Sequence, residues 1–147
     1  MTGPAQRPVG PPSTPPTRPP DVDTGFWLWV AALPLLVIGY LIDNLMVPVE
    51  GASLFLKGMA VMIVVVVAAI VATFLILLRQ GYRWTRTLLT AGGFGSVAYT
   101  VTNLFTVPRE SPVAAFGYAV TAIIGSVLIA GGIFLLHRKD ANAFFVR

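Results

Sequence analysis

The stretch GMAVMIVVVVAAIVATFLILL, residues 58–78, decides the fold. It holds no charged residue over 21 positions and only one hydroxyl, Thr73. A helix rises about 1.5 Å per residue, so roughly 20 such residues cross a hydrocarbon layer of about 30 Å. Three further charge-free runs accompany it, at 26–42, 87–107 and 113–136, with lengths of 17, 21 and 24 residues. The expected fold is an all-α membrane protein of four transmembrane helices, at about 26–42, 58–78, 87–107 and 113–136.

Composition supports this. Hydrophobic residues make up 56% of the chain and charged residues 11%, with a mean hydropathy of +0.80, whereas soluble domains carry about 25% charge. No segment outside the four runs is long enough to bury a core of its own. The absence of cysteine removes disulfides, thiolate nucleophiles and zinc–thiolate sites. The net charge of +4 reflects topology rather than affinity for nucleic acid. Arg7, Arg18, Arg79, Arg83, Arg86, Arg138, Lys139 and Arg147 fall on one side of the four runs, and only Lys57 and Arg109 on the other. The positive-inside rule therefore places both termini in the cytoplasm, with the plasma membrane as the expected location. Trp27, Trp29, Tyr82 and Trp84 fall at the same inner boundary, where amphipathic rings are favoured.

Residues 1–25 hold eight of the twelve prolines and are expected to form a disordered or polyproline-II cytoplasmic tail. They lack the basic start, short apolar core and small-residue cleavage site of a signal peptide, so the first run reads as an uncleaved anchor. Residues 137–147 form a short basic tail. The first and third runs end alike, in Asn44-Leu45…Val47-Pro48…Glu50 and Asn103-Leu104…Val107-Pro108…Glu110. That recurrence suggests two tandem hairpin repeats related by an axis along the membrane normal.

In lipid, leucine gains little by leaving the acyl chains, so helices associate through small residues that allow close backbone approach. Gly92, Ser96 and Thr100 with Asn103 form such a stripe on the third helix, and Gly117, Thr121 and Gly125 on the fourth. These two helices are therefore expected to pack tightly together. The second helix is bulky and β-branched on nearly all sides, which suits lipid or an apolar partner. Asp43, Asn44, Glu50, Lys57 and Glu110 gather at the outer end as a candidate polar site. If the inner connection stays helical, Arg79, Arg83 and Arg86 share a face beside Trp84 and contact anionic headgroups. The pattern Arg79-x-Gly81-x-x-Trp84-x-Arg86-x-x-Leu89, with the proline-rich tail and the four-run layout, resembles small four-span membrane proteins of actinobacterial type. The resemblance implies class and location, since most such proteins have no assigned activity.

No cluster of His, Asp, Glu or Ser lies at catalytic depth, and His137 stands alone, so neither catalysis nor a cofactor is expected. The expected role is a non-catalytic accessory or scaffold subunit, partnered by the bilayer and by a membrane protein or a second copy of the chain. The alternative is a small oligomeric transporter or channel. The depth of Ser96, Tyr99 and Asn103 separates the two: a continuous water-accessible cavity lined by all three favours transport, whereas contact with neighbouring helices alone makes them packing residues.

Overall fold

A computed structural model describes residue 10, residues 17–46, 48, 50–51 and 53–145. The described residues form helices and turns, with no strand among them. The helices are α1 (Pro20–Met46), α2 (Leu54–Arg79), α3 (Arg83–Thr106), α4 (Pro112–Leu136) and the short α5 (Lys139–Asn142). Three of them, α1, α2 and α4, are long and apolar enough to cross a membrane. The third expected span differs: α3 has the length, at 24 residues, but Arg83, Arg86 and many Thr, Gly and Ser residues make it too polar. Scanning for absent charge overlooked that polarity.

Local chemistry explains the ends. Pro20 begins α1, followed by Asp21 and Asp23 in the first turn, where carboxylates face the positive end of the helix dipole. The helix thus starts within the segment expected to be disordered, and Val22 is fully buried. The earlier part of that expectation, at residues 1–9 and 11–16, lies outside the described residues. Ser53 and Ser111 cap α2 and α4 by accepting from the backbone N–H groups of Leu56 and Ala114. The end of α2 is a Schellman turn, in which Tyr82 N donates to Leu77 O and Gly81 N to Leu78 O, with Gly81 at φ +88°. That turn breaks the helical face expected to join Arg79 to Arg83 and Arg86.

The helices run up, down, up, down. Arg79 at the end of α2 meets Asp23 at the start of α1, so this pair is antiparallel. Asn103 near the end of α3 meets Asp43 near the end of α1, so these two are parallel. The pair α1–α4 is antiparallel and has by far the most extensive contact, in place of the expected α3–α4 pair. Buried positions on α1 include Val22, Gly25, Trp29, Ala32 and Gly39, and on α4 Tyr118, Ala122, Gly125, Ile129, Gly132 and Leu136. Their three- and four-residue spacings form one continuous seam between the two helices.

Along the seam a large group faces a small one. A Cβ added to Gly132 would stand 2.6 Å from Trp29 Cδ1, one on Gly39 2.8 Å from Thr121 Oγ1, and one on Gly125 3.1 Å from Leu36 Cδ2. The stripe Gly117, Thr121, Gly125 does pack helices together, but against α1. On α3 the close contact is Gly93, set against Trp29, Ile129 and Ile133, whereas nothing approaches Gly92 within 4 Å. A two-fold relating the hairpins would make the α1–α4 and α2–α3 contacts alike. The first is extensive and the second sparse, so the packing is not two-fold symmetric.

The Asp23 end is closed by ion pairs and by the C-terminal segment. Asp23 holds Arg79 at 2.9 Å and Arg18 at 3.6 Å, and Asp21 holds Arg138 at 3.2 Å. Arg86 donates to Asn142 Oδ1 and lies over the Phe145 ring. With Ala141 and Phe145 buried, the described part of the expected C-terminal tail, residues 137–145, packs on the bundle.

Substitution Gly132→Ala forces the Trp29 indole to move and is expected to cost about 1–3 kcal/mol by overpacking. Gly92→Ala meets open space and should be neutral or slightly stabilising, because Ala is the better helix former. Unfolding midpoints in detergent check both.

Candidate functional site

A cavity of about 580 Å³ lies among α1, α2, α3 and α4, within the ordinary range for small-molecule sites of about 300–1,000 Å³. It exists because α2 and α3 touch sparingly. The only buried residues of α2 are Leu75 and Leu78, near its end, where Phe74 also packs edge-on against Trp84 with ring centroids 5.5 Å apart. Before that point α2 contributes Val64, Val67, Ala68 and Val71 to the cavity wall. Across from them α3 presents Gly92, Ser96, Tyr99 and Asn103, and α1 and α4 supply a floor that includes Trp29, Leu36, Tyr118 and Ile129. Gly92 and Ser96, expected to pack helices, instead line this space.

The wall is mostly apolar, with Ser96 and the Trp29 indole among its exceptions, and its polar groups gather towards the Asp43 end. There Arg109, from the α3–α4 connection, grips Asp43 with two bonds: Nε to Oδ1 at 2.7 Å and Nη2 to Oδ2 at 2.8 Å. Its Nη1 donates to the carbonyls of Asn103 and Val107, and its guanidinium lies 3.8 Å from the centroid of the Tyr118 ring. Asn103 Nδ2 donates to Asp43 Oδ2 at 3.2 Å, and the Tyr118 hydroxyl donates to the Thr100 carbonyl at 3.4 Å. The Arg109 side chain is only 4% exposed and that of Asp43 16%, so little water screens the pair. The hydrogen bond to Asp43 raises the Arg109 pKa above its ordinary value. Stability from a raised basic pKa is present below arginine's ordinary pKa and lost only above it, so the pair holds at neutral and mildly alkaline pH.

The candidate outer polar site divides. Asp43 and Asn44 line the cavity, while Glu50 and Glu110 are exposed, and Asp43 is bound by Arg109 rather than Lys57. Arg109 and Tyr118 complete the cluster. Sequence reasoning counted Arg109 only as a topology charge; its place two residues beyond the end of the third span was the available signal. Arg79 and Arg86, expected at headgroups, are engaged within the fold, whereas Arg83 and Trp84 are exposed.

Two cavity-lining residues carry buried polar atoms without a hydrogen-bond partner among the described residues: Trp29 Nε1 and Asn44 Oδ1. Buried polar atoms are nearly always paired, so each leaves bonding capacity unused. No protein-family model matches the chain, and no curated protein or solved structure is found to be similar to it.

Removing one member of a buried ion pair leaves the other uncompensated, so Asp43→Ala or Arg109→Ala is expected to cost about 3–5 kcal/mol. The double variant Asp43→Leu/Arg109→Leu should cost less than either single change. A double-mutant cycle on unfolding in detergent measures the difference.

Proposed function

We propose that the chain is an integral membrane protein of the plasma membrane that binds a small lipophilic molecule within its helix bundle, as a non-catalytic carrier or transporter. The observation that carries this reading is the cavity, which all four long helices line and to which Ser96, Tyr99 and Asn103 all contribute. Mutual hydrogen bonds occupy most of the polar capacity of Asp43 and Arg109, leaving positioning rather than acid–base chemistry as the use of this site.

In the same proposal α3 crosses the membrane with the others. It links the Asp23 end of α2 to the Asp43 end of α4, so placing those helices across a bilayer carries α3 across as well. Thr85 and Thr100 are buried and Ser96, Tyr99 and Asn103 line the cavity, where intramembrane polar groups are tolerated, while the exposed Thr87 and Thr106 donate to carbonyls four residues back in their own helix. Arg18, Arg79, Arg83, Arg86, Arg138 and Lys139 belong to the Asp23 end and Lys57 and Arg109 to the other, which favours cytoplasmic termini.

A second reading, an accessory subunit of a membrane complex, draws on α2. No residue of α2 before Leu75 is buried, and Val65, Val66 and Ile70 are each about half exposed. Repeated recovery of the chain from mild detergent without stoichiometric companions would remove that reading.

Native mass spectrometry of the purified chain tests ligand binding. The expected spectrum shows a single retained small-molecule adduct per chain, which Ala68→Phe/Gly92→Phe loses by filling the cavity. Equal adducts on both proteins, or none on either, would contradict the proposal.

A further inference from the structure

Any occupant of the cavity meets a wall whose formal charge is already cancelled. Among the described residues, Asp43 is the only carboxylate lining the cavity, and no Lys, Arg or His lines it. Both Asp43 oxygens are taken by Arg109. Arg109 in turn commits Nε and Nη2 to Asp43, and Nη1 to the carbonyls of Asn103 and Val107. An anionic head group therefore finds no spare cation, and a cationic one finds a carboxylate already paired. Either would bring an uncompensated charge into a poorly solvated site.

A neutral head group that donates hydrogen bonds does fit. Asn44 lines the same end of the cavity, and its buried Oδ1 is an acceptor without a donor. Asn103 gives one amide hydrogen to Asp43 and has a second to offer an incoming oxygen. Away from this end the wall is Leu36, Val67, Val71 and Phe74, which suits an alkyl chain. The route in is the sparse α2–α3 contact, where Gly92 and Gly95 leave open space beside α3.

From this geometry we infer that the cavity takes a neutral single-chain lipid from the surrounding bilayer. Its hydroxyl-bearing head lies by Asn44 and Asn103, and its chain passes between Val67 and Gly92 towards Phe74. The inference rests on the ligand-binding reading and adds the chemical class of the ligand.

The test compares three probes that share one chain and differ in head-group charge: 1-oleoylglycerol, oleate and oleylamine. Each competes for the full-length protein in detergent micelles against radiolabelled 1-oleoylglycerol. The wild-type chain is expected to prefer 1-oleoylglycerol by about tenfold, the worth of roughly one neutral hydrogen bond. Asn44→Leu should weaken 1-oleoylglycerol by about tenfold and leave the two charged probes little changed, so that the preference narrows. Asn44→Asp, which keeps the side-chain size and adds a negative charge, should move the preference to oleylamine, a reversal that general destabilisation does not produce. Equal binding of all three by the wild type, tighter binding of oleate, or a preference unchanged in both Asn44 variants overturns the inference. Any of these outcomes leaves the ligand-binding reading standing if the adduct persists in native mass spectrometry. Failure of every probe to bind overturns the inference, and absence of the adduct as well removes the broader reading.

Discussion

Close backbone approach between α1 and α4 is the contact on which the rest of the bundle depends. The exterior is apolar over much of its surface, with Ile63, Phe94, Phe105, Phe116, Val127 and Phe134 all more than half exposed. Such an exterior is stable against acyl chains rather than water. In that solvent the burial of leucine against leucine adds little, and what remains is dispersion between closely fitted surfaces. Gly25, Gly39, Gly125 and Gly132 supply the fit by receiving Leu136, Thr121, Leu36 and Trp29. Trp29 also reaches Gly93, so one indole ties α3 to the same seam.

Having one strong seam makes an unequal bundle. α2 is buried only near one end, at Leu75 and Leu78 beside the Arg79–Asp23 pair, and touches α3 sparingly. The cavity is the space this leaves. At its far end the Asp43–Arg109 pair joins the α3–α4 connection to α1, which keeps that end from opening as well. A buried pair of this kind offers limited net stability, because desolvation offsets much of its attraction. Its geometric effect is larger, since two bonds and a stacked ring hold Arg109 in one orientation.

Helix positions were legible in the sequence because length and absence of charge are local properties. The spans at 58–78 and 113–136 fall within α2 and α4, which run one to four residues further at any end that differs. The start of α1 was missed because prolines dominate residues 1–20, yet Pro20 is a favourable first helical residue and Asp21 and Asp23 suit the turn that follows. The small residues at every fourth position on α4, expected to meet α3, lie against α1. The matching seam on α1 contains Trp29, Leu36 and Asp43 among its small residues, so it carries no stripe to recognise. Gly92 and Gly93 are neighbours with opposite fates, one facing open space and one packed against Trp29 and Ile129, and only the rotation of α3 decides between them. The Asp43–Arg109 pair joins residues 66 apart through the bundle's topology, which no local pattern reveals.

The chain has no cysteine, so paired cysteines introduced in membranes report proximity without background. A Cβ on Gly125 would lie 3.8 Å from Leu35 Cβ, the mean separation of about 3.8 Å found across disulfides. Val67 and Gly92 line the cavity from α2 and α3, and nothing approaches a Cβ at Gly92 within 4 Å. Under a zero-length oxidant, Leu35→Cys/Gly125→Cys is expected to cross-link within one chain while Val67→Cys/Gly92→Cys stays reduced. Efficient closure of the second pair with none of the first would contradict both the seam and the cavity beside it.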